Sequence, residues 1–416
     1  MNRRSFLKAG LGVSAAALAG APDVAHAAVT NPVLVVLFLR GGLDALSLLP
    51  PRDGTNATLY AKARPSVAID APATLSSGGG GFGIHPAVPK LRALYEGGEA
   101  AFVVGAGSPN QTRSHFEQVA FIESGNPVTR AASGYLNRAL AVLPSPGYVL
   151  QGIAMQGEMP LGLRGPASTL KIGSLDGFGT LQRSGLEPGA SYATRAAELT
   201  IAPTSTNATV TEIRDASAVL RASITEVRRI VSAAPAVSST SAYGSSDFGG
   251  NLRDAARAIA VQPKVRIIEI EHERFDTHAA QGDASGGTLV GRLRELDTAL
   301  GAFVADAKSL GFWSRTCVLV ISEFGRTVDE NGTKGTDHGR GGVAFVAGPS
   351  TIVRGKRVVV PSGFSLASGA LVDGRDLPVK TDLRAIAGEV LTKHLGASSL
   401  GTVFPGWTPT SAGLLV

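Results

Sequence analysis

Four short apolar runs, each breaking off into a polar, glycine-bearing segment, limit what this chain can fold into more than any other feature. Val33 to Leu39 leads into RGGLDAL, and Ala100 to Val104 leads through Gly105 into SPNQTRSHFEQ. Val265 to Ile270 leads into EHERFDTHAAQ, and Thr316 to Ile321 into SEFGRT. An apolar run of about four to eight residues closed by glycine and polar residues reads as a strand buried on both faces, as in a parallel sheet. Open α/β sheets place ligands beyond the carboxyl ends of their strands. The four polar segments are therefore expected to meet along one edge.

Between the runs the apolar period becomes helical. Leu289, Leu293, Leu296, Leu300, Phe303, Ala307 and Leu310 recur on one helical face, and Gly311 is placed to end it. This alternation of strand and helix predicts an α/β fold with a largely parallel sheet. The length of 416 residues and the 44% hydrophobic content suffice for a large core. Between about Gly185 and Gly250 the pattern changes. Leu220, Ile224, Val227 and Val231 predict an amphipathic helix, and the Ser/Ala/Thr-rich stretch Ala233 to Ser246 predicts a mobile segment. Together they read as a helical insertion within a single domain spanning residues 28–416.

Residues 1–27 read as an export signal, not as fold. Arg3 and Arg4 form a twin-arginine motif, an Ala/Gly/Leu stretch follows, and Ala25-His26-Ala27 supplies a small-x-small cleavage site. The expectation is a periplasmic or secreted protein that meets the twin-arginine translocon already folded. The apolar stretch is too short and glycine-broken for a stable membrane anchor. Cleavage would take the 39 basic and 33 acidic residues to 36 and 32. A surplus that small does not argue for nucleic acid. The lone cysteine, Cys317, falls within a predicted strand and reads as a buried structural thiol.

The polar segments carry the chemistry. Asp44 follows two glycines and suits either a ligand contact or a helix cap. Ser114 opens SHFE, a capping-box pattern with Glu117, yet a hydroxyl at a helix N-terminus also suits a nucleophile. Thr112 and His115 are its rivals. Asp276 and His278, two residues apart, share a face of an extended segment and make a ligand pair for zinc or manganese. Gln281 orients a ligand or closes the loop. Glu323, Asp337 and His338 add carboxylates and imidazole, which serve a metal or acid–base chemistry. Arg40, Arg113, Arg326 and Arg340 lie close in sequence to these groups and either bind phosphate or sulfate oxygens or neutralise the carboxylates. His85, His272 and His394 read as structural. Gly78, Gly80 and Gly83 match a dinucleotide fingerprint in spacing only, with no strand before them.

Taken together, RGGLDAL, RSHFEQ, FDTH with Gln281, SEFGRT and GTDHGRG resemble the twin-arginine-exported bacterial family called domain of unknown function 1501. The resemblance runs from Val33 to FPGW near the C-terminus, and that family is similar to the alkaline phosphatase and sulfatase superfamily. It implies a three-layer α/β/α sandwich, alkaline-phosphatase-like, of metal-dependent hydrolase ancestry. By position, Asp276, His278 and His338 would hold one divalent metal, while Asp44 and Glu323, with Ser114 as nucleophile, would surround a second. Zinc, manganese and calcium are the candidates. The activity implied is hydrolysis of phosphate or sulfate esters, small or polymeric, with Arg113 and Arg326 stabilising developing charge. Phe324 stands where the superfamily has a histidine, which removes a ligand. The alternative is a non-enzymatic binding or assembly protein on a degenerate hydrolase fold.

Overall fold

Alternation along the first apolar run divides the interior in two. In strand β1 (Val33–Leu39) all seven residues are buried: Val33, Val35, Leu37 and Leu39 face one core, and Leu34, Val36 and Phe38 the other. A strand shows successive side chains to opposite faces, so this one must lie between two layers. The computed structural model describes residues 31–176 and 211–416, apart from 53, 71, 77, 111, 130, 145–149 and 234.

Strands β2 (Ala73–Thr74), β3 (Gly83–Ile84), β4 (Ala100–Gly107), β5 (Gly152–Ala154) and β6 (Thr169–Lys171) follow β1 in the chain. After them come β7 (Ile267–His272), β8 (Thr316–Ser322), β9 (Gly342–Ala347), β10 (Arg357–Val359) and β11 (Thr381–Asp382). The principal sheet runs β10-β4-β9-β8-β1-β7-β5-β6, with β11 also paired to β4. Its pairings are parallel except at β9, which is antiparallel to both β8 and β4. Two reversals cancel, so β4 points the same way as β8, β1 and β7. The carboxyl ends of all four apolar runs, and the start of β9, thus share one edge.

The helices that matter here are α1 (Pro89–Glu96), α2 (His115–Ser124), α3 (Tyr135–Val142), α4 (Thr211–Ala233), α5 (Asp247–Val261), α6 (Thr288–Ser309) and α7 (Leu383–Glu389). Apolar residues of α1, α4, α5 and α6 fill one core, and those of α2, α3 and α7 fill the other. The α/β/α expectation holds. So does the end of α6, where Gly311 takes φ +78 just beyond the cap residue Leu310. Cys317 is buried, and burial pushes its thiol up to about 12.

The insertion differs from expectation in one respect. Ile224, Val227 and Ile230 of α4 are buried, as an amphipathic helix requires. The stretch Ala233 to Ser246, expected to be mobile, is pinned by one carboxylate. Ser238 donates its N–H and hydroxyl to Asp306 of α6, and buried Tyr243 donates its hydroxyl to the same group at 2.6 Å. Small polar residues form an ordered connection when a buried acceptor collects them. Residues 1–30, where the export signal was expected, and residues 177–210 lie outside the described residues. No helix among the described residues is long and apolar enough to cross a membrane.

One buried group lacks compensation. Glu269 of β7 is 1% exposed, and its Oε2 has no hydrogen-bond partner. Burial, then the charges of Glu123 and Glu271, push its carboxyl well above the ordinary 4.5; burial likewise raises Glu123 to about 7. An acid raised by folding is protonated more readily in the folded state than in the unfolded chain, so it withdraws stability as pH climbs above its unfolded value. Glu269→Gln is expected to gain stability relative to wild type as pH rises from about 5 to 8, read from urea unfolding. A pH-independent difference would contradict the neutral buried acid.

Candidate metal centre

Three imidazoles approach one carboxylate at the common strand edge. Asp276 and His278 come from the loop after β7, His338 from the β8–β9 connection, and His115 is the first residue of α2 after β4. His278 Nε2 and His338 Nε2 both lie 3.0 Å from Asp276 Oδ1, and His115 Nε2 lies 3.4 Å from Asp276 Oδ2. His115, Asp276 and His338 each offer one donor atom within 4.8 Å of the others.

Each ring is held by its far nitrogen. His338 Nδ1 donates to the Arg113 carbonyl at 2.8 Å, His115 Nδ1 to Glu323 Oε1 at 2.7 Å, and His278 Nδ1 to Asp337 Oδ1 at 2.9 Å. A carbonyl or an ionised carboxylate only accepts, so all three Nδ1 atoms carry the hydrogen and each ring turns its Nε2 toward Asp276, as a donor when that nitrogen is protonated and as a lone pair when it is not. His278 Nε2 and His338 Nε2 then face each other at 2.9 Å, and His115 Nε2 is buried without a hydrogen bond. Lone pairs so close repel unless a proton or a cation lies among them. Backing of Nδ1 by carboxylate or carbonyl is the usual support of metal-bound histidine.

The electrostatics follow from these contacts. For Glu323, 1% exposed, burial alone would raise the carboxyl, but the His115 bond and the N–H of Gly41 at 2.7 Å outweigh it and hold the group below 4.5. In return Glu323 raises His115 above 6.5. His338 goes the other way, lowered first by burial and then by the nearby charges of His115 and Arg326. Burial opposes ionisation of Asp276, yet the bond from Arg326 Nη1 at 2.7 Å holds it below 3.8. Gly41 permits the crowding: it takes φ +120, and a Cβ there would stand 2.3 Å from the Asp276 nitrogen.

Of the residues expected in the site, Asp276, His278 and His338 come together. The others do different work. Asp44 caps the helical turn Ala45–Leu48 and spends both oxygens on Arg64 (2.6 and 3.1 Å), with Gln281 Nε2 donating at 2.7 Å and Ser47 at 2.9 Å. With Arg64 wholly buried against it, Asp44 has no charge or lone pair left for an ion. Glu323 is a support for His115, not a member of a second ligand set with Asp44. Ser114 is the residue before α2, but its side chain makes no capping bond; Thr112 instead donates to Glu117 at 2.8 Å. Ser114 does not line the cavity over the centre. Arg113 turns to Asp376 and Asp373 at 2.5 and 3.0 Å and contributes only its carbonyl. Arg326 is fully buried, bonding Asp276, the Gly41 carbonyl and Thr336, so it holds ligands in place and does not meet a substrate.

His115 is the residue that sequence reasoning passed over. It was visible only as a rival to Ser114, at the start of a helix following a strand end. Its ring packs on Phe324, centroids 4.8 Å apart, and Phe324 also backs His338 at 4.9 Å. Phe324 is therefore a wall against which both His115 and His338 pack.

Residues 100–358, more than half of the chain, match the family described as "Protein of unknown function (DUF1501)". The sequence matches no curated protein. Among solved structures it is similar to the C-terminal periplasmic domain of EcEptC from Escherichia coli in complex with Zn, at 12% identity and a TM-score of 0.40, covering 93% of this chain and 92% of that one. It is also similar to the lipoteichoic acid synthase LtaP from Listeria monocytogenes, at 11% identity and a TM-score of 0.39, covering 95% and 78%. A third similarity, at 10% identity and a TM-score of 0.35, is to the phosphonate monoester hydrolase of Agrobacterium radiobacter, covering 79% and 70%. Likenesses this loose decide nothing about the site.

Asp44→Ala is expected to cost about 3–5 kcal/mol of stability, since it leaves Arg64 buried and unpaired. Metal binding by the folded fraction should survive it. Asp276→Ala should abolish metal binding even in the folded fraction and, because it leaves buried Arg326 without its carboxylate, should also cost stability; metal titration of the folded protein separates the two roles.

Proposed function

The chain belongs to the family of unknown function 1501, and on that footing we propose that it is an exported metal-dependent hydrolase of phosphate or sulfate esters. The observation that carries this reading is the convergence of three Nε2 atoms on Asp276, each ring fixed through Nδ1. Three imidazoles and one carboxylate suit zinc or manganese better than calcium, which prefers an all-oxygen shell. Among the described residues one donor cluster forms, made by His115, Asp276 and His338, with His278 Nε2 3.0 Å from Asp276 beside it, so one ion is proposed. When bound, it would supply Lewis acidity toward an ester oxygen.

The chain's own groups have separate duties in this reading. His115, His278, His338 and Asp276 hold the ion. Glu323, Asp337 and the Arg113 carbonyl aim the rings, and Arg326 keeps Asp276 ionised. Arg40, with a side chain 31% exposed at the cavity, receives the anionic head of the ester. The nucleophile is assigned to water, since Ser114 does not reach the cavity. Delivery to the periplasm or beyond rests on Arg3, Arg4 and the Ala25-His26-Ala27 cleavage pattern.

Protein purified after export should begin at Ala28 and retain about one zinc or manganese per chain, measured by elemental analysis and N-terminal mass. His115→Ala should release the ion, and Glu323→Gln should weaken its binding by about 10–100-fold. Hydrolysis of aryl phosphate or sulfate should follow metal occupancy. Wild-type protein that binds neither metal, with no shift in melting temperature on adding them, overturns the reading. Metal binding without turnover of any ester favours the binding-protein alternative.

A further inference from the structure

The cavity over the centre has a wall that hydrolysis alone does not use. Its volume is about 220 Å³, and Arg40, Glu273, Asp276 and His115 give it charge, while Phe116 and Val119 give it an apolar side. Phe116 is 89% exposed, more than any other large apolar side chain among the described residues. Val128 and Val416, the others left in water, are not part of this wall. Isolated apolar residues on a surface need no explanation. An aromatic face on the first turn of the helix that carries His115, continued one turn later by Val119, is different because it borders the reacting centre.

The opposite side of the cavity is set up for an anion. Arg40 is steadied over the Phe38 ring at 5.2 Å, and its ion pairs are long, 3.4 Å to Glu123 and 3.7 Å to Glu271. No hydrogen bond engages its Nη2 among the described residues. Carboxylates outnumber it, since Glu273, Asp276 and Glu323 line the same space. An anionic head is therefore repelled until a metal ion offsets them.

We propose that the ester taken by this site carries a ring with an apolar face, which lies against Phe116 and Val119 while its anionic head lies between the metal centre and Arg40. This rests on the hydrolase reading and narrows its substrate class. A flat apolar ring gains contact with an exposed phenyl face that a methyl group cannot match.

The test uses the full-length exported chain loaded with zinc and two ligands that it cannot hydrolyse, phenylphosphonate and methylphosphonate, with dissociation constants from calorimetry. Wild type is expected to prefer the phenyl compound by about threefold to tenfold. Phe116→Ala should bring that ratio close to one, and Phe116→Trp should restore it. Equal affinities in wild type, or a preference that persists in Phe116→Ala, overturn the ring site and leave the hydrolase reading standing. If wild type binds neither compound, the anionic-ester reading fails and takes the ring site with it.

Discussion

A continuous line of buried hydrogen bonds ties together the loops that build the centre. Arg64 holds Asp44, Gln281 Nε2 donates to Asp44, and Thr336 Oγ1 donates to Gln281 Oε1 at 2.7 Å. Arg326 Nε reaches Thr336 Oγ1 at 3.2 Å, and its Nη1 reaches Asp276. Residues after β1, β7 and β8 are thereby joined within one network. Backbone at this edge is irregular and has few ladder bonds, so buried side chains must complete its bonding. Arg64 does this for the carbonyls of Thr327 and Val328, both at 2.8 Å. A fully satisfied network of this kind fixes a single arrangement, whereas a half-satisfied one costs more than an apolar core.

Much of the frame was legible in the sequence because it depends on local pattern. The four apolar runs are strands, the periodic segment from Leu289 to Leu310 is a helix, and the polar segments share an edge. Asp276 and His278 stood out because they follow a strand end, and His338 because it falls in the glycine-rich β8–β9 connection. Arg64 gave no local signal. It lies just past the end of a short helix, twenty residues from Asp44, and only the fold reveals that the two neutralise each other. The pairing of His115 with Glu323, 208 positions apart, is equally invisible to spacing. Ser114 was attractive because capping and nucleophilic roles share one sequence signature, yet Thr112 took the bond to Glu117.

Part of the charge at the centre is offset by groups of the protein itself. Arg326 compensates Asp276, and His115 shares the negative charge of Glu323. The same contacts that orient these side chains spare Asp276 and Glu323 from standing at the sheet edge without a partner. This contrasts with Glu269, deeper in the sheet, where burial and the charges of Glu123 and Glu271 outweigh that of Arg40 and favour the neutral acid.

The antiparallel course of β9 has a consequence for the loops that must close to form the centre. A crossover helix after β8 would have carried the chain back to the far edge, but the reversal keeps residues 323–341 where they began, and Arg326 bridges to His338 only twelve positions on. Closing so short a loop loses little chain entropy, whereas bringing His115 to Glu323 closes a loop of more than two hundred residues. Folds that depend on contacts of long sequence separation fold more slowly, because loop closure comes before the contact's reward. The imidazole from α2 thus reaches its support only by closing a long loop, so that a complete donor set exists only in a chain whose distant parts have met.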